Sequence, residues 1–135
     1  MVTIVMDYQG ELRCLATHSP SKTRLTTDAP IDNQGKGESF SPTDLVATAL
    51  GTCILTTMGI LAARHGWSMQ GASATVVKEM VADPVRRIGR LRVSIALPTP
   101  LEAKAREALE RAAHTCPVHR SLAPNVDIPL EFIWG

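Results

Sequence analysis

The sequence predicts an α+β domain with the element order βββ-α-ββ-α-α-β. Three observations lead to this class. β-branched runs separated by turn residues fill the first third, one long uncharged segment has the length of a helix, and two more β-rich runs precede an amphipathic helix. The chain has 135 residues, 44% of them hydrophobic and 20% charged. This size and composition are typical of one globular domain, which we expect to cover residues 1–135.

The first third predicts a three-stranded antiparallel meander. Its strands are expected at residues 2–8, 11–17 and 22–27, with turns at Gln9-Gly10 and around Pro20. Residues 28–40 (DAPIDNQGKGESF) are rich in Gly, Asp and Asn and predict a long irregular loop. Loops of this length often carry functional residues.

A long helix is predicted next, starting at Ser41-Pro42-Thr43-Asp44 and ending near Arg64-His65. A serine N-cap, a proline at the first helical position and an early aspartate are typical helix-start signals. Residues 45–63 contain no charge and are long enough to cross a bilayer. Interspersed threonines and the lack of flanking aromatic residues favour a buried protein helix and no membrane. Because one small domain cannot easily bury such a helix on all sides, a partner subunit is expected.

The second half of the chain predicts two long strands, two helices and a closing strand. The strands are expected at residues 68–82 and 87–98, with a turn at Asp83-Pro84. Residues 101–114 have a helical apolar stripe, and Cys116-Pro117 begins a short helix that ends at Leu122. Residues 126–134 predict the last strand.

Charge and cysteine content exclude several classes of protein. The net charge is +1 and there are only five aromatic residues, so no nucleic-acid partner is expected. Three cysteines are too few for a secreted disulfide framework, and the N-terminal residues lack a signal-peptide pattern. These features favour a cytoplasmic location for the protein. The usual phosphate-loop, dinucleotide-binding and hydrolase motifs do not occur.

Two cysteines are candidates for redox chemistry. Cys53 lies within the apolar helix, and Cys116 precedes Pro117, where helix N–H groups would favour its thiolate. A thiolate that attacks a peroxide oxygen becomes a sulfenic acid, which a second thiol converts to a disulfide. The alternative is a zinc site formed by these cysteines with His114 and His119, although their spacing differs from common zinc motifs.

Two stretches carry a family resemblance. Ser41 to Cys53 (SPTDLVATALGTC) and Thr115 to Leu122 (TCPVHRSL) resemble the OsmC/Ohr family of osmotically inducible and organic-hydroperoxide-resistance proteins. The element order matches that family along nearly the whole chain. With DAPIDNQGKGESFSPTDL before the cysteine, the chain looks most similar to the OsmC-like branch.

The resemblance implies an intertwined homodimer with two long helices at its centre and two active sites at the subunit interface. It implies that Cys53 is the peroxidatic residue and Cys116 the resolving one. The implied activity is thiol-dependent reduction of hydroperoxides, preferably organic ones, without a metal or haem cofactor. A small dithiol or a lipoyl group would be the reductant.

The chain departs from the family at the residues that activate the thiol. Well-understood members have a glutamate where this chain has Thr43. Glu38 in the preceding loop is the expected substitute. Arg13 and Arg24 are the candidate arginines, and Arg13 is preferred because its strand position resembles that of the hydroperoxide-resistance members. Strand alternation then turns Cys14 to the opposite face.

Two functions therefore remain in view. The first is a cytoplasmic dimeric thiol peroxidase that uses Cys53, Cys116, Arg13 and Glu38. The second is a non-enzymatic protein on the same fold that binds a small hydrophobic ligand or senses oxidation. The threonine at position 43 motivates the second.

Overall fold

The computed structural model describes residues 1–135 and has the predicted α+β element order, with one 3₁₀ turn added at Ile31–Asn33. The chain divides by its contacts into two units, residues 1–46 and 47–135. A single domain over the whole length stays a prediction. The strands and helices are β1 Ile4–Gly10, β2 Arg13–His18, β3 Arg24–Asp28, α1 Pro42–His65, β4 Ser73–Val81, β5 Arg87–Leu97, α2 Ala103–Ala113, α3 Pro117–Leu122 and β6 Leu130–Trp134.

The first unit is built on the predicted meander, a three-stranded sheet in the order β1-β2-β3 with both pairs antiparallel. The register places Arg13 opposite Asp28 and Cys14 opposite Thr27. Neighbouring residues on a strand point to opposite faces, so Arg13 and Asp28 share a face that Cys14 does not. In the single chain, β1 is exposed along almost its whole length.

The predicted loop after β3 is closed onto that strand by backbone hydrogen bonds. The Asp28 N–H donates to the Phe40 carbonyl over 3.0 Å, and the Gly37 N–H donates to the Ala29 carbonyl over 3.2 Å. Gly35 is required where the loop folds back, because a Cβ there would lie 1.8 Å from the Ala29 oxygen. The loop is therefore a defined structure that positions its own side chains.

Helix α1 begins where the sequence predicts, and reciprocal hydrogen bonds explain the start. The Asp44 N–H donates to the Ser41 hydroxyl over 3.1 Å, and the Ser41 N–H donates to the Asp44 carboxylate over 2.9 Å. This is a capping box with aspartate in place of the usual glutamate. Ser41 is buried, so the box satisfies backbone groups that water cannot reach.

One stripe of α1 is buried and the opposite face is exposed in the single chain. Residues at helical spacing form the buried stripe: Ala47, Leu50, Gly51, Ile54, Met58 and Ala62. The exposed face has the small or apolar residues Thr48, Ala49, Thr52, Thr56, Ile60 and Ala63. The chain alone thus buries only part of the surface that the uncharged sequence predicted to be buried. By length and composition alone, α1 is the one helix that could cross a membrane.

The second unit holds the main core. Its sheet has the order β4-β5-β6, with β4 antiparallel and β6 parallel to the central β5. Helix α1 approaches β4 closely at Gly51, where an added Cβ would lie 3.1 Å from Val76. The Trp134 indole donates to Glu110 over 2.9 Å and so ties β6 to α2. The fully buried apolar residues of β5 and α2 are Leu91, Val93, Ile95, Leu97, Ala105, Leu109 and Ala113.

Three predicted element ends are wrong in the second unit. Strand β4 begins at Ser73 rather than Ser68, after a turn in which Gly71 has a positive φ of 79°. Strand β6 begins at Leu130 rather than Val126, because Pro129 has no N–H to donate to a ladder. Helix α2 begins at Ala103 rather than Leu101, since Glu102 has an extended backbone and is the N-cap.

Candidate active site

The second unit brings Cys53 and Cys116 together. Cys53 lies in the middle of α1 and is half-buried, whereas Cys116 is completely buried at the start of α3. The Cys53 side chain is close enough to Cys116 to raise the pKa of the Cys116 thiol, and both cysteines are free thiols. The two candidate cysteines are therefore neighbours, and the more exposed residue of the two is on α1.

The Cys116 sulfur is held by the backbone of its own helix. The His119 N–H donates to Cys116 Sγ over 3.4 Å, so Cys116 is the N-cap of α3. Burial raises the pKa of the Cys116 thiol, and the neighbouring Cys53 side chain raises it further. The His119 N–H acts in the opposite direction but does not offset these effects. The helix N–H groups do favour the Cys116 thiolate as expected, but burial outweighs them.

The two histidines of the zinc alternative contact each other. The His114 and His119 rings meet edge to face with their centroids 5.7 Å apart. Burial lowers the pKa of His119, and the neighbouring His114 lowers it further. No three or more His, Cys, Asp or Glu side chains converge to form a metal ligand set. The side-chain geometry therefore gives the zinc alternative no support.

The first unit brings Arg13 and Glu38 together. The Arg13 guanidinium on β2 forms an ion pair with the Glu38 carboxylate, which extends from the loop. The same Nη2 atom lies 3.5 Å from Asp28 Oδ2, at the end of β3. Glu38 also donates its backbone N–H to Asp28 Oδ2 over 2.9 Å. Arg13 is thus shared by two carboxylates that are themselves linked.

This cluster keeps its members ionised. The pKa of Arg13 is raised, first by its hydrogen bond with Glu38 and then by the charge of Asp28. The pKa of Asp28 is lowered, chiefly because the Glu38 N–H bonds to its carboxylate and also because Arg13 is adjacent. Its burial opposes this lowering but does not cancel it. Asp28 is therefore a charged carboxylate at neutral pH.

Sequence reasoning missed Asp28, which it treated only as the first residue of a loop. The signal for it is the register of β2 and β3, which places an acidic residue directly opposite Arg13. Arg24, the other candidate arginine, lies at the far end of β3 opposite Thr17 and is exposed. Cys14 is half-buried on β2.

Comparison with models of protein families assigns the chain to a family. A family model described as OsmC-like protein matches residues 35–131, well over half of the sequence. The chain belongs to the OsmC-like family. The predicted resemblance is confirmed. No curated protein matched this OsmC-like chain.

Solved structures with the OsmC-like fold match along nearly the full length of both chains. A Psychrobacter arcticus 273-4 protein named for osmotic stress induction and a detoxification response is 44% identical, with a TM-score of 0.89, and the match covers 100% of this chain and 96% of that one. The organic hydroperoxide resistance protein OsmC of Legionella pneumophila is 21% identical, with a TM-score of 0.80 and coverages of 98% and 96%. An organic hydroperoxide resistance protein of Elizabethkingia anophelis is 12% identical, with a TM-score of 0.81 and coverages of 100% and 96%. The last two are similar in fold alone.

Proposed function

We propose that this OsmC-like protein is a thiol-dependent peroxidase that reduces organic hydroperoxides. The observation that carries the proposal is the contact between Cys53 and Cys116. A peroxidase of this kind needs one accessible thiol to be oxidised and a second thiol within reach. The names of the Legionella and Elizabethkingia relatives support hydroperoxides as the substrate class.

Cys53 is the attacking residue in this proposal because it is the more exposed residue of the two. Its thiolate attacks the terminal oxygen of the hydroperoxide, and the O–O bond breaks. The alkoxide leaves and takes a proton to become the alcohol, while Cys53 becomes a sulfenic acid. Cys116 keeps its proton at neutral pH because burial raises its pKa, so it does not compete for the peroxide.

Resolution follows at the same pair of sulfurs. The Cys116 sulfur attacks the Cys53 sulfenic acid, and a disulfide forms as water leaves. A dithiol or lipoyl group then supplies two electrons and two protons to restore both thiols. Each turnover thus converts one hydroperoxide and one dithiol to an alcohol, water and a disulfide.

Arg13 and Glu38 have supporting roles in the proposal. Arg13 is the cation that stabilises the Cys53 thiolate and the negative charge that develops on the leaving oxygen. Glu38 orients Arg13, which agrees with the ion pair between them. Glu38 replaces the glutamate that family resemblance places at position 43.

The proposed working form is a cytoplasmic homodimer. Between residues 48 and 63 the exposed face of α1 consists of threonine, alanine and isoleucine without a charged residue, which is unusual for a surface that faces water. Strand β1 also exposes Ile4, Val5 and Met6. A second copy of the chain on these surfaces would bury them.

The test uses one equivalent of cumene hydroperoxide on reduced protein, followed by intact mass and a peptide map. The expected result is a loss of two hydrogens that maps to a Cys53–Cys116 disulfide. The Cys14→Ser variant is the matched control and should give the same bridge. Unchanged thiols, together with a co-purified hydrophobic ligand in native mass spectrometry, would overturn the peroxidase and favour the binding protein.

A further inference from the structure

Asp28 is a buried carboxylate with one oxygen that has no partner. The residue is 1% exposed. Its Oδ2 atom accepts the Glu38 N–H and lies near Arg13, but its Oδ1 atom is buried without a hydrogen bond. Buried charged groups normally have all their acceptors satisfied, because a free lone pair away from water is costly. The unpaired oxygen therefore calls for an explanation beyond loop structure.

The charges around Arg13 give that explanation. One guanidinium faces two carboxylates, so the cluster has a net charge of −1 and is poorly suited to stabilise a further anion. Either Asp28 or Glu38 must move away from Arg13 before the guanidinium can stabilise the negative charge that forms during the reaction. The Glu38 side chain is 60% exposed on a loop, whereas Asp28 is buried on a strand directly opposite Arg13. Glu38 is therefore the exchangeable partner and Asp28 the fixed one.

We propose that Asp28 is the positioning residue that holds Arg13 when Glu38 withdraws during hydroperoxide reduction. The released N–H groups of Arg13 then bond to the free Oδ1, which gives a two-point pair between guanidinium and carboxylate. This pair fixes the orientation of the Arg13 guanidinium, whose remaining N–H groups stabilise the negative charge of the reaction. The proposal rests on the proposed peroxidase function, in which Arg13 is the stabilising cation.

Asp28 also has a structural role that the test must separate. Its backbone N–H bonds to Phe40, and its carboxylate accepts the Glu38 N–H, so it organises the loop. Asp28→Asn keeps the side-chain shape and a carbonyl acceptor for Glu38 but removes the charge. The substitution therefore weakens the interaction with Arg13 and keeps the hydrogen bond from the Glu38 N–H.

The experiment is a double-mutant cycle between Asp28→Asn and Arg13→Ala. The readout is the second-order rate of Cys53 oxidation by cumene hydroperoxide in a single turnover. We expect Asp28→Asn to slow the native protein roughly 10-fold, within the range of coupling between contacting residues, and to have no effect when Arg13 is already alanine. Asp7→Asn removes an exposed carboxylate of β1 and is the matched control, with an unchanged rate.

Chemical rescue gives a second readout that a loop role would not change. Added guanidinium ion should partly restore Arg13→Ala, because the ion binds to the vacated Asp28 carboxylate. It should not restore the double variant. If Asp28→Asn does not fold, Asp28→Ser takes its place, since serine is smaller and keeps an acceptor.

The contrary outcomes distinguish this proposal from the function on which it rests. Equal slowing by Asp28→Asn with and without Arg13 would show a purely structural effect and overturn the proposal alone. If Asp28→Asn reacts at the native rate while Arg13→Ala is slow, the proposal alone is likewise overturned. A normal rate in Arg13→Ala would remove Arg13 from the reaction and overturn both. Rescue of the double variant by guanidinium would also contradict the role of Asp28.

Discussion

Cys116 is completely buried beside the half-buried Cys53, whose side chain raises the pKa of the Cys116 thiol. The neighbouring α3 helix holds the Cys116 sulfur through the His119 N–H. In the proposed reaction, this difference in burial lets Cys53 meet the hydroperoxide, while Cys116 reacts only with Cys53.

The first prediction separates the two cysteines by substitution. Cys53→Ser should lower steady-state hydroperoxide reduction at least roughly 1000-fold, because it removes the nucleophile. Cys116→Ser should still react with one equivalent of cumene hydroperoxide and stop at the sulfenic acid. Trapping with dimedone and mass spectrometry checks this. A dimedone adduct on Cys116 rather than Cys53 would reverse the assignment.

The second prediction concerns the reductant. Cys53 is the more exposed of the two cysteines, so we expect an incoming thiol to attack its sulfur in the disulfide and to release Cys116. A mixed disulfide should therefore form on Cys53 in the Cys116→Ser variant treated with an activated disulfide. Peptide mapping locates the adduct, and the same treatment of Cys53→Ser is the control. Equal labelling of Cys116 in that control would show that burial does not direct the exchange.

Local signals explain why the helix start was predictable. Ser41, Pro42 and Asp44 cap α1 through contacts within four residues, so its predicted start agrees with the structure. The strand ends at Ser73 and Leu130 depend on turns and a ladder that involve other parts of the chain. For that reason the predicted ends are wrong by several residues.

The sequence supplied candidate site residues but not their geometry. The family resemblance pointed to Cys53 and Cys116, yet their proximity depends on how the second unit folds. The high pKa of Cys116 also follows from that packing, since burial is its largest cause. Asp28 required the register between β2 and β3, which strand patterns alone do not supply.

The third prediction is a pH dependence of stability at Asp28. Its pKa is lower in the folded protein than in the unfolded chain, so the folded state binds this proton more weakly. Its stabilisation is present above the ordinary Asp range and is lost as pH falls through the folded pKa. Asp28→Asn should therefore be less stable than the native protein at pH 7, and the difference should shrink below about pH 5.

Urea unfolding midpoints measured across this pH range test the prediction. Asp7→Asn is the control, because Asp7 is exposed on β1 and its substitution should change the midpoint little at any pH. A difference between the native protein and Asp28→Asn that stays constant with pH would mean that the charge of Asp28 does not contribute.

The fourth prediction concerns the exposed face of α1. Thr52 and Thr56 donate their hydroxyls to carbonyls one turn earlier, both over 2.8 Å, so their methyl groups are left to face outward. Gly59 has open space where a side chain would be, and Ile60 is 53% exposed. Such a small, apolar face allows another helix to approach closely. We expect a homodimer in solution, with this face covered by a second copy.

A single charge on that face should disrupt the assembly. Thr56→Glu would place an unpaired carboxylate in the interface, where its desolvation is costly. Light scattering after size exclusion should give the mass of two chains for the native protein and of one chain for the variant. Ala103→Glu is the matched control, since it adds the same charge at an exposed position in the first turn of α2. A native protein with the mass of one chain would contradict the dimer, and a Thr56→Glu variant that stays dimeric would place the interface on another surface.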